Sequence, residues 1–67
     1  IILSHTPVED SIRVFANGEL YYDWYYDAPD NTVYFDVIPD AGVLVEVGYR
    51  YMPLDTGVDT GKDTANT

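Results

Sequence analysis

The chain of 67 residues contains no cysteine, a single histidine and only three basic residues. Without cysteine, no disulfide can stabilise a small core, and the redox compartment cannot be inferred from thiols. A zinc site needs several histidine or cysteine ligands, which this chain does not supply. No apolar run approaches the ~20 residues of a membrane-spanning helix, and no signal peptide is recognisable. We therefore expect neither a disulfide scaffold nor direct membrane insertion.

Acidic residues outnumber basic ones by twelve to three, which gives a formal net charge of −9. A field of this sign repels phosphate backbones, so nucleic acid and anionic membrane surfaces are not expected partners. Basic protein surfaces and cations remain compatible with it. We expect protein partners, either other copies of this chain or neighbouring domains of its parent protein.

Alternation with period two is the strongest pattern in the chain. From Val43 to Tyr51 every odd position is Val or Tyr, whereas the even positions include Glu, Gly and Arg. Such alternation predicts a long β-strand with one face on a core and the other in water. Shorter runs of the same kind predict four further strands, at residues 1–4, 11–16, 19–26 and 32–37.

Turn residues separate these runs. Asn17-Gly18 predicts a two-residue hairpin, because a type I′ turn needs positive φ at both central positions. No window has helical periodicity, and strands at roughly ten-residue spacing are typical of a sandwich or barrel. The predicted fold is all-β, a small antiparallel meander or an incomplete immunoglobulin-like β-sandwich of about five strands over residues 1–53.

The composition changes after Pro53, where an Asp-Thr-Gly-x repeat with a period of four begins. This segment has no aromatic residue and one Val beyond Leu54, so it buries too little apolar surface to fold alone. We expect residues 54–67 to be a disordered acidic linker. Calcium binding by the repeat is a less favoured alternative, because EF-type loops place ligands at every second residue and end in Glu.

Carboxylates and one amide also cluster at a predicted turn, at Asp27, Asp30 and Asn31. Their oxygens are candidate calcium ligands. The commoner role of such residues is turn chemistry, in which the side chains bond to nearby backbone groups. No other cofactor is predicted.

Catalytic signatures are absent from the sequence. His5 lies next to Ser4 and two residues before Pro7 in a predicted turn, whereas a Ser-His-acid triad needs three groups that converge from a rigid scaffold. A glycosidase carboxylate pair needs a deep cleft, which a sheet of about fifty residues does not build. We therefore do not expect an enzyme.

The aromatic residues are better functional candidates. Alternation assigns Leu20, Tyr22, Trp24 and Tyr26 to the core and points Val33, Phe35 and Val37 inward. It leaves an outer aromatic surface, which we predict to consist of Phe15, Tyr21, Tyr25 and Tyr34. Exposed tyrosines favour protein contact or stacking on sugar rings. Equally, they can be cross-strand pairs that stabilise a small sheet.

The apolar start of the chain is a second candidate. The chain begins in apolar sequence without an initiator methionine, so we expect a fragment of a longer protein. The predicted edge strand has little protection, and an open edge can pair with another chain. We predict strand addition between copies through four residues: Ile1, Ile2, Leu3 and Ser4.

The order of several short motifs resembles a small immunoglobulin-like module of large secreted bacterial proteins, which often follows a von Willebrand A domain. The motifs are Ser11 to Gly18, Trp24 to Asp27, Asn31 to Asp36, Pro39, and Val45 to Tyr49. Ala16 departs from the usual Val, and Tyr21-Tyr22 replaces a polar loop. The resemblance implies an extracellular or cell-surface, non-catalytic accessory domain, and it carries over no site residues. The function expected is a structural or interaction module that self-associates into an oligomer or fibre, with carbohydrate or protein-ligand binding as the alternative.

Overall fold

The computed structural model describes residues 1–53 and 57–66, and these residues form strands and turns without a helix. Consequently, no helix in this part of the chain is long and apolar enough to cross a membrane. The strands are β1 (Arg13–Ala16), β2 (Glu19–Tyr21), β3 (Trp24–Asp27), β4 (Thr32–Phe35), β5 (Leu44–Tyr51) and β6 (Asp59–Asn66). They form two antiparallel sheets, which confirms the all-β prediction.

The larger sheet has the strand order β2-β1-β5-β6. Asn17 and Gly18 connect β1 to β2 with φ values of 50° and 83°, as the hairpin prediction requires. The Asn17 side chain also accepts a hydrogen bond from the Leu44 N–H at 3.0 Å, which ties this turn to the start of β5. Local turn chemistry thus fixes the register of the central strands.

The smaller sheet pairs β3 with β4, and the first residues of the chain extend it along the free side of β4. The Leu3 N–H donates to the Asn31 carbonyl at 2.9 Å, and the Val33 N–H donates to the Ile1 carbonyl at 2.8 Å. The expected first strand is therefore a short bridge to β4 of the same chain.

The core lies between the two sheets. Its buried members are Leu3, Val14, Val33, Val45, Val47 and Tyr49. Val45, Val47 and Tyr49 alternate along β5, so the odd positions of the 43–51 pattern do face the core, as the alternation predicts. Trp24, Tyr26 and Phe35 pack against this cluster from the smaller sheet.

The predicted strand over residues 19–26 was wrong as a single element. It breaks at Tyr22 and Asp23, because β2 belongs to one sheet and β3 to the other. The core-facing positions therefore change from odd-numbered residues before the break to even-numbered residues after it. Tyr21 packs on the core, whereas Leu20 is 43% exposed and Tyr22 is 77% exposed. Val37 is also exposed, because β4 ends at Phe35.

The predicted linker does not hold for residues 59–66, which form β6 and pair with all eight residues of β5. The inner face of β6 carries Gly61, Asp63 and Ala65, opposite Tyr49, Val47 and Val45. Small inner side chains are sufficient here, because Tyr49 supplies the ring that covers Gly61. Residues 54–56 and 67 of that prediction lie outside the described residues.

Candidate functional site

The predicted strand-addition segment is held by its own chain. Leu3 is only 4% exposed and belongs to the core, whereas its neighbour Ile2 is 76% exposed. The Asn31 amide donates to the carbonyls of Leu3 and His5, both at 3.1 Å. The segment is therefore anchored by the buried Leu3 side chain, with Ile1 packed partly against the core, and clamped by main-chain and amide hydrogen bonds to β4 and the turn before it.

Two of the four predicted surface aromatics, Tyr25 and Tyr34, do form an exposed pair. They are cross-strand partners on β3 and β4, with ring centroids 5.5 Å apart and ring planes 24° apart. The Tyr34 hydroxyl donates to Asp30 at 3.0 Å, and Asp27 lies on the same face of β3 as Tyr25. We call Tyr25, Asp27, Asp30 and Tyr34 the acidic tyrosine face.

The electrostatics of this face follow from its carboxylates. The pKa of Tyr34 is raised above its ordinary value, first by its hydrogen bond to Asp30 and then by the charge of that carboxylate, with Asp27 adding to the effect. Tyr34 is therefore a neutral hydroxyl at physiological pH. The surface it belongs to is negatively charged and aromatic.

The other two predicted surface aromatics lie elsewhere, which corrects the prediction of one aromatic surface. Tyr21 turns inward, meets the edge of Phe35 at a centroid distance of 6.0 Å, and donates its hydroxyl hydrogen bond to the Val37 carbonyl. Burial, followed by the charges of Asp23 and Asp40, raises its pKa. Phe15 is half-buried on the outer face of the larger sheet, between its cross-strand partners Leu20 and Glu46.

Two of the three calcium candidates, Asp30 and Asn31, accept hydrogen bonds from tyrosine hydroxyls. The Asn31 side-chain oxygen accepts a hydrogen bond from the Tyr26 hydroxyl at 2.6 Å, and Asp30 accepts one from Tyr34. Asn31 itself has a φ of 50°, which suits the asparagine of a tight turn. Within residues 1–53 and 57–66, no three His, Cys, Asp or Glu side chains group closely enough to hold a metal ion.

A polar network that the sequence did not reveal joins the start of the chain to β6. Asp63 accepts hydrogen bonds from the Ser4 hydroxyl at 2.6 Å, the Ser4 N–H at 3.0 Å and the Tyr49 hydroxyl at 2.7 Å. The His5 N–H donates to the Tyr49 hydroxyl at 3.2 Å, and the His5 ring stacks on Tyr51 with centroids 3.8 Å apart. The Ser4 hydroxyl bonds to Asp63 and not to His5, so the network does not reproduce a Ser-His pair. Because the start of the chain extends the smaller sheet and Asp63 is on β6 of the larger one, the network links the two sheets.

The pKa values of Tyr49 and Asp63 in this network are shifted in opposite directions. Burial, together with the hydrogen bond to Asp63, raises the pKa of Tyr49 to about 12. Burial opposes ionisation of Asp63 as well, but the hydrogen bonds from Ser4 and Tyr49 outweigh it, so the pKa of Asp63 is lowered. A neutral Tyr49 donating to an ionised Asp63 is the stable state at neutral pH.

The three basic residues of the chain lie together on the outer face of the larger sheet. Arg13, Gly48 and Lys62 are cross-strand neighbours on β1, β5 and β6, and Arg50 follows Gly48 on the same face. With Phe15 they line a shallow depression over Gly48, where a Cβ would meet nothing within 4 Å. We call Arg13, Phe15, Gly48, Arg50 and Lys62 the cationic face. Sequence reasoning missed Lys62 because it lies in the predicted linker.

A second concave surface runs between residues 6–10 and β3. It is an open groove with a mixed lining of apolar side chains and charged ones, which include Pro7, Ile12, Trp24, Tyr26, Glu9, Asp10 and Arg13. This groove and the depression over Gly48 are both open to solvent. This geometry suits contact with another surface better than enclosure of a small substrate.

Comparison with known proteins gave no match: no family model, curated protein or solved structure is significantly similar to this chain.

Proposed function

We propose that this chain is a non-catalytic structural and interaction module of a secreted or cell-surface bacterial protein, and that copies join by exchanging their first strand. The setting follows from the resemblance in the motifs between Ser11 and Tyr49. The mechanism is supported by one observation: the segment at residues 1–4 is seated on β4 as a separable strand, with Leu3 as its buried anchor.

The contacts of the segment explain why strand exchange costs little free energy. Its hydrogen bonds to Asn31 and Val33 are made with residues at least twenty-eight positions away in the chain, and Leu3 packs in a core whose other members begin at Val14. The same groups of a second copy can receive it in the same geometry, which is the principle of domain swapping. Exchange preserves every interaction and adds only the contacts between the two bodies.

Cysteine trapping tests this mechanism, because the natural chain has no cysteine to interfere. Ile2 and Thr32 are bridge partners, and the hydrogen bonds flank the pair on both sides, which makes it a non-hydrogen-bonded antiparallel pair. Such pairs have Cα atoms ~4.5 Å apart, within the range that a disulfide spans. The Ile2→Cys/Thr32→Cys variant should therefore form a disulfide wherever the segment pairs with β4.

We expect covalent dimers and higher oligomers on non-reducing gels after oxidation at high protein concentration, and monomers after oxidation at high dilution. The two single-cysteine variants are the controls for random cross-linking. A product that stays an intramolecular disulfide at every concentration would show that the segment never leaves its own chain, and strand exchange would be wrong.

A second candidate function is ligand binding on the acidic tyrosine face. The near-parallel stacking of Tyr25 and Tyr34 presents two adjacent rings to solvent, 51% and 38% exposed. Flat aromatic surfaces of this kind suit sugar rings or partner side chains. This function uses the outer face of the smaller sheet and is independent of the strand at residues 1–4.

A further inference from the structure

The cationic face carries charge that the rest of the described chain does not neutralise. Lys62 pairs with Glu46 at 3.2 Å, but within residues 1–53 and 57–66 neither Arg13 nor Arg50 forms an ion pair with a carboxylate. Arg13 instead donates through Nη1 to the carbonyls of Asp10 and Ile12. In a chain with twelve acidic residues, two exposed arginines without a carboxylate partner are unexpected.

The outer face around these arginines is mixed: Asp10, Ser11 and Thr60 also line the depression, and apolar side chains lie beside it. Leu20 and Leu44 are exposed on the same outer face, and Phe15 lies between their strands. Gly48 leaves the depression open where another residue would place a side chain over it. Arginines beside apolar surface with a shallow hollow match the composition of protein interfaces, in which arginine and aromatic residues are enriched.

The complementary surface is on the opposite side of the same molecule. The acidic tyrosine face is the outer face of the smaller sheet, and the cationic face is the outer face of the larger one. Carboxylates of Asp27 and Asp30 are suitable partners for guanidinium groups, and the rings of Tyr25 and Tyr34 can accept arginine by cation–π stacking. Two such faces on opposite sides of one body permit front-to-back association.

We propose that a second copy of this chain docks its acidic tyrosine face onto the cationic face, so that copies stack front to back. This contact is distinct from strand exchange and goes beyond the proposed function. A heterologous contact between opposite faces does not close on itself, so it generates an open stack.

The size and charge of the molecule favour this occupant. The two larger extents of the molecule are 39 and 23 Å, so one broad side is large enough to hold an interface of ~800 Å² per partner. A polyanion such as nucleic acid is repelled by the net charge of −9 before it reaches the arginines. A second copy carries the same net charge of −9, but salt screens exposed charges that are more than ~8 Å apart at physiological ionic strength, so the local pairs of arginine and carboxylate decide this contact.

The test uses the whole chain in sedimentation velocity, with two double variants. Arg13→Glu/Arg50→Glu reverses the cationic face, and Asp27→Lys/Asp30→Lys reverses the acidic tyrosine face. Both variants keep a net negative charge, since the parent chain carries −9. We expect each variant alone to associate at least tenfold more weakly than the parent chain, and the parent association to weaken as salt is raised.

The decisive sample is the equimolar mixture of the two variants. Each variant retains one unaltered face, these two faces are complementary, and the two reversed faces are complementary in charge as well, so the mixture should regain an association that neither variant shows alone. The milder Arg13→Gln/Arg50→Gln variant replaces the charge reversal if thermal melting shows that the latter is unfolded. A monomeric parent chain at millimolar concentration would overturn the stacking contact. So would variants that associate as strongly as the parent; in that case cysteine trapping still decides whether strand exchange operates.

Discussion

Gly61 on β6 lies directly against the ring of Tyr49 on β5, and a Cβ at position 61 would approach the ring atom Cε2 to 2.7 Å. The ring has little freedom to move, because Tyr49 is 4% exposed and its hydroxyl is held by Asp63. Position 61 is therefore restricted to glycine by space and not by backbone conformation.

Replacing Gly61 with Ala should consequently destabilise the fold by about 1–3 kcal/mol, the usual cost of overpacking a well-packed site. Chemical denaturation monitored by tryptophan fluorescence measures this loss. Gly48→Ala is the matched control, because it lies on the same sheet and its Cβ meets no atom within 4 Å. We expect that control to be neutral or slightly stabilising, since Gly is unfavourable inside a strand. Equal unfolding midpoints for the two variants would contradict the packing of Tyr49 over β6.

Acid should weaken the link between the start of the chain and β6. The folded-state pKa of Asp63 is lowered from its ordinary value of 3.8, so its contribution is fully present above about pH 4. The contribution is lost as the pH falls through the lower folded-state value, because the folded chain must then take up a proton that it disfavours. In Asp63→Asn this acid-dependent part of the unfolding free energy should be absent. A parallel pH dependence in variant and parent between pH 5 and pH 2 would be evidence against an ionised Asp63 as the acceptor.

At alkaline pH, the ionisation of Tyr49 governs how the stability of the fold depends on pH. Its pKa is raised to about 12 in the folded chain, against 10.0 ordinarily. The stabilisation is therefore complete below about pH 10 and is lost as the pH rises through about 12. Tyr49→Phe removes the hydroxyl that donates to Asp63, at a cost of about 1–2 kcal/mol near neutral pH. The difference between parent and variant, measured by urea denaturation, should shrink between pH 10 and pH 12; a constant difference would contradict this assignment.

Ligand binding by the acidic tyrosine face predicts a specific loss. Tyr25→Ser removes half of the stacked pair without touching the core, because Tyr25 points outward. We expect an intact fold and the disappearance of any glycan-induced quenching of aromatic fluorescence. Tyr22→Ser is the matched control, since Tyr22 is exposed but lies between β2 and β3, away from the pair. If no glycan quenches the parent chain, or if both variants behave alike, sugar binding by this face is wrong.

Features decided by local chemistry were predictable from the sequence. The Asn17-Gly18 turn is one, because positive φ at both positions is a property of those two residues. The alternation of Val45, Val47 and Tyr49 is another, because a long half-buried strand repeats one environment at every second position. Together these fixed the pairing of β1 with β2 and the inward face of β5.

Features decided by distant pairing were not predictable in the same way. The chain passes from one sheet to the other at Tyr22 and Asp23, and the core-facing positions change there from odd to even numbers. Whether Tyr21 faces the core or solvent therefore could not be predicted without knowing the sheet to which each strand belongs. The β6 strand has no apolar alternation because Tyr49 covers its inner face. One signal was available: a repeat of four is a multiple of the two-residue strand period, so it keeps Thr60 and Thr64 on one face and Gly61 and Ala65 on the other.

The pairing of β6 with β5 also matters to anyone who prepares this protein. Composition alone invites truncation at Pro53, where the hydrophobic sequence ends. A chain cut there would lose the eight-residue partner of its longest strand and uncover the ring of Tyr49. The exposed backbone of that strand would then be a template for aggregation. An expression boundary for this domain therefore belongs after Asn66, because residues 59–66 form β6 although their composition resembles that of a linker.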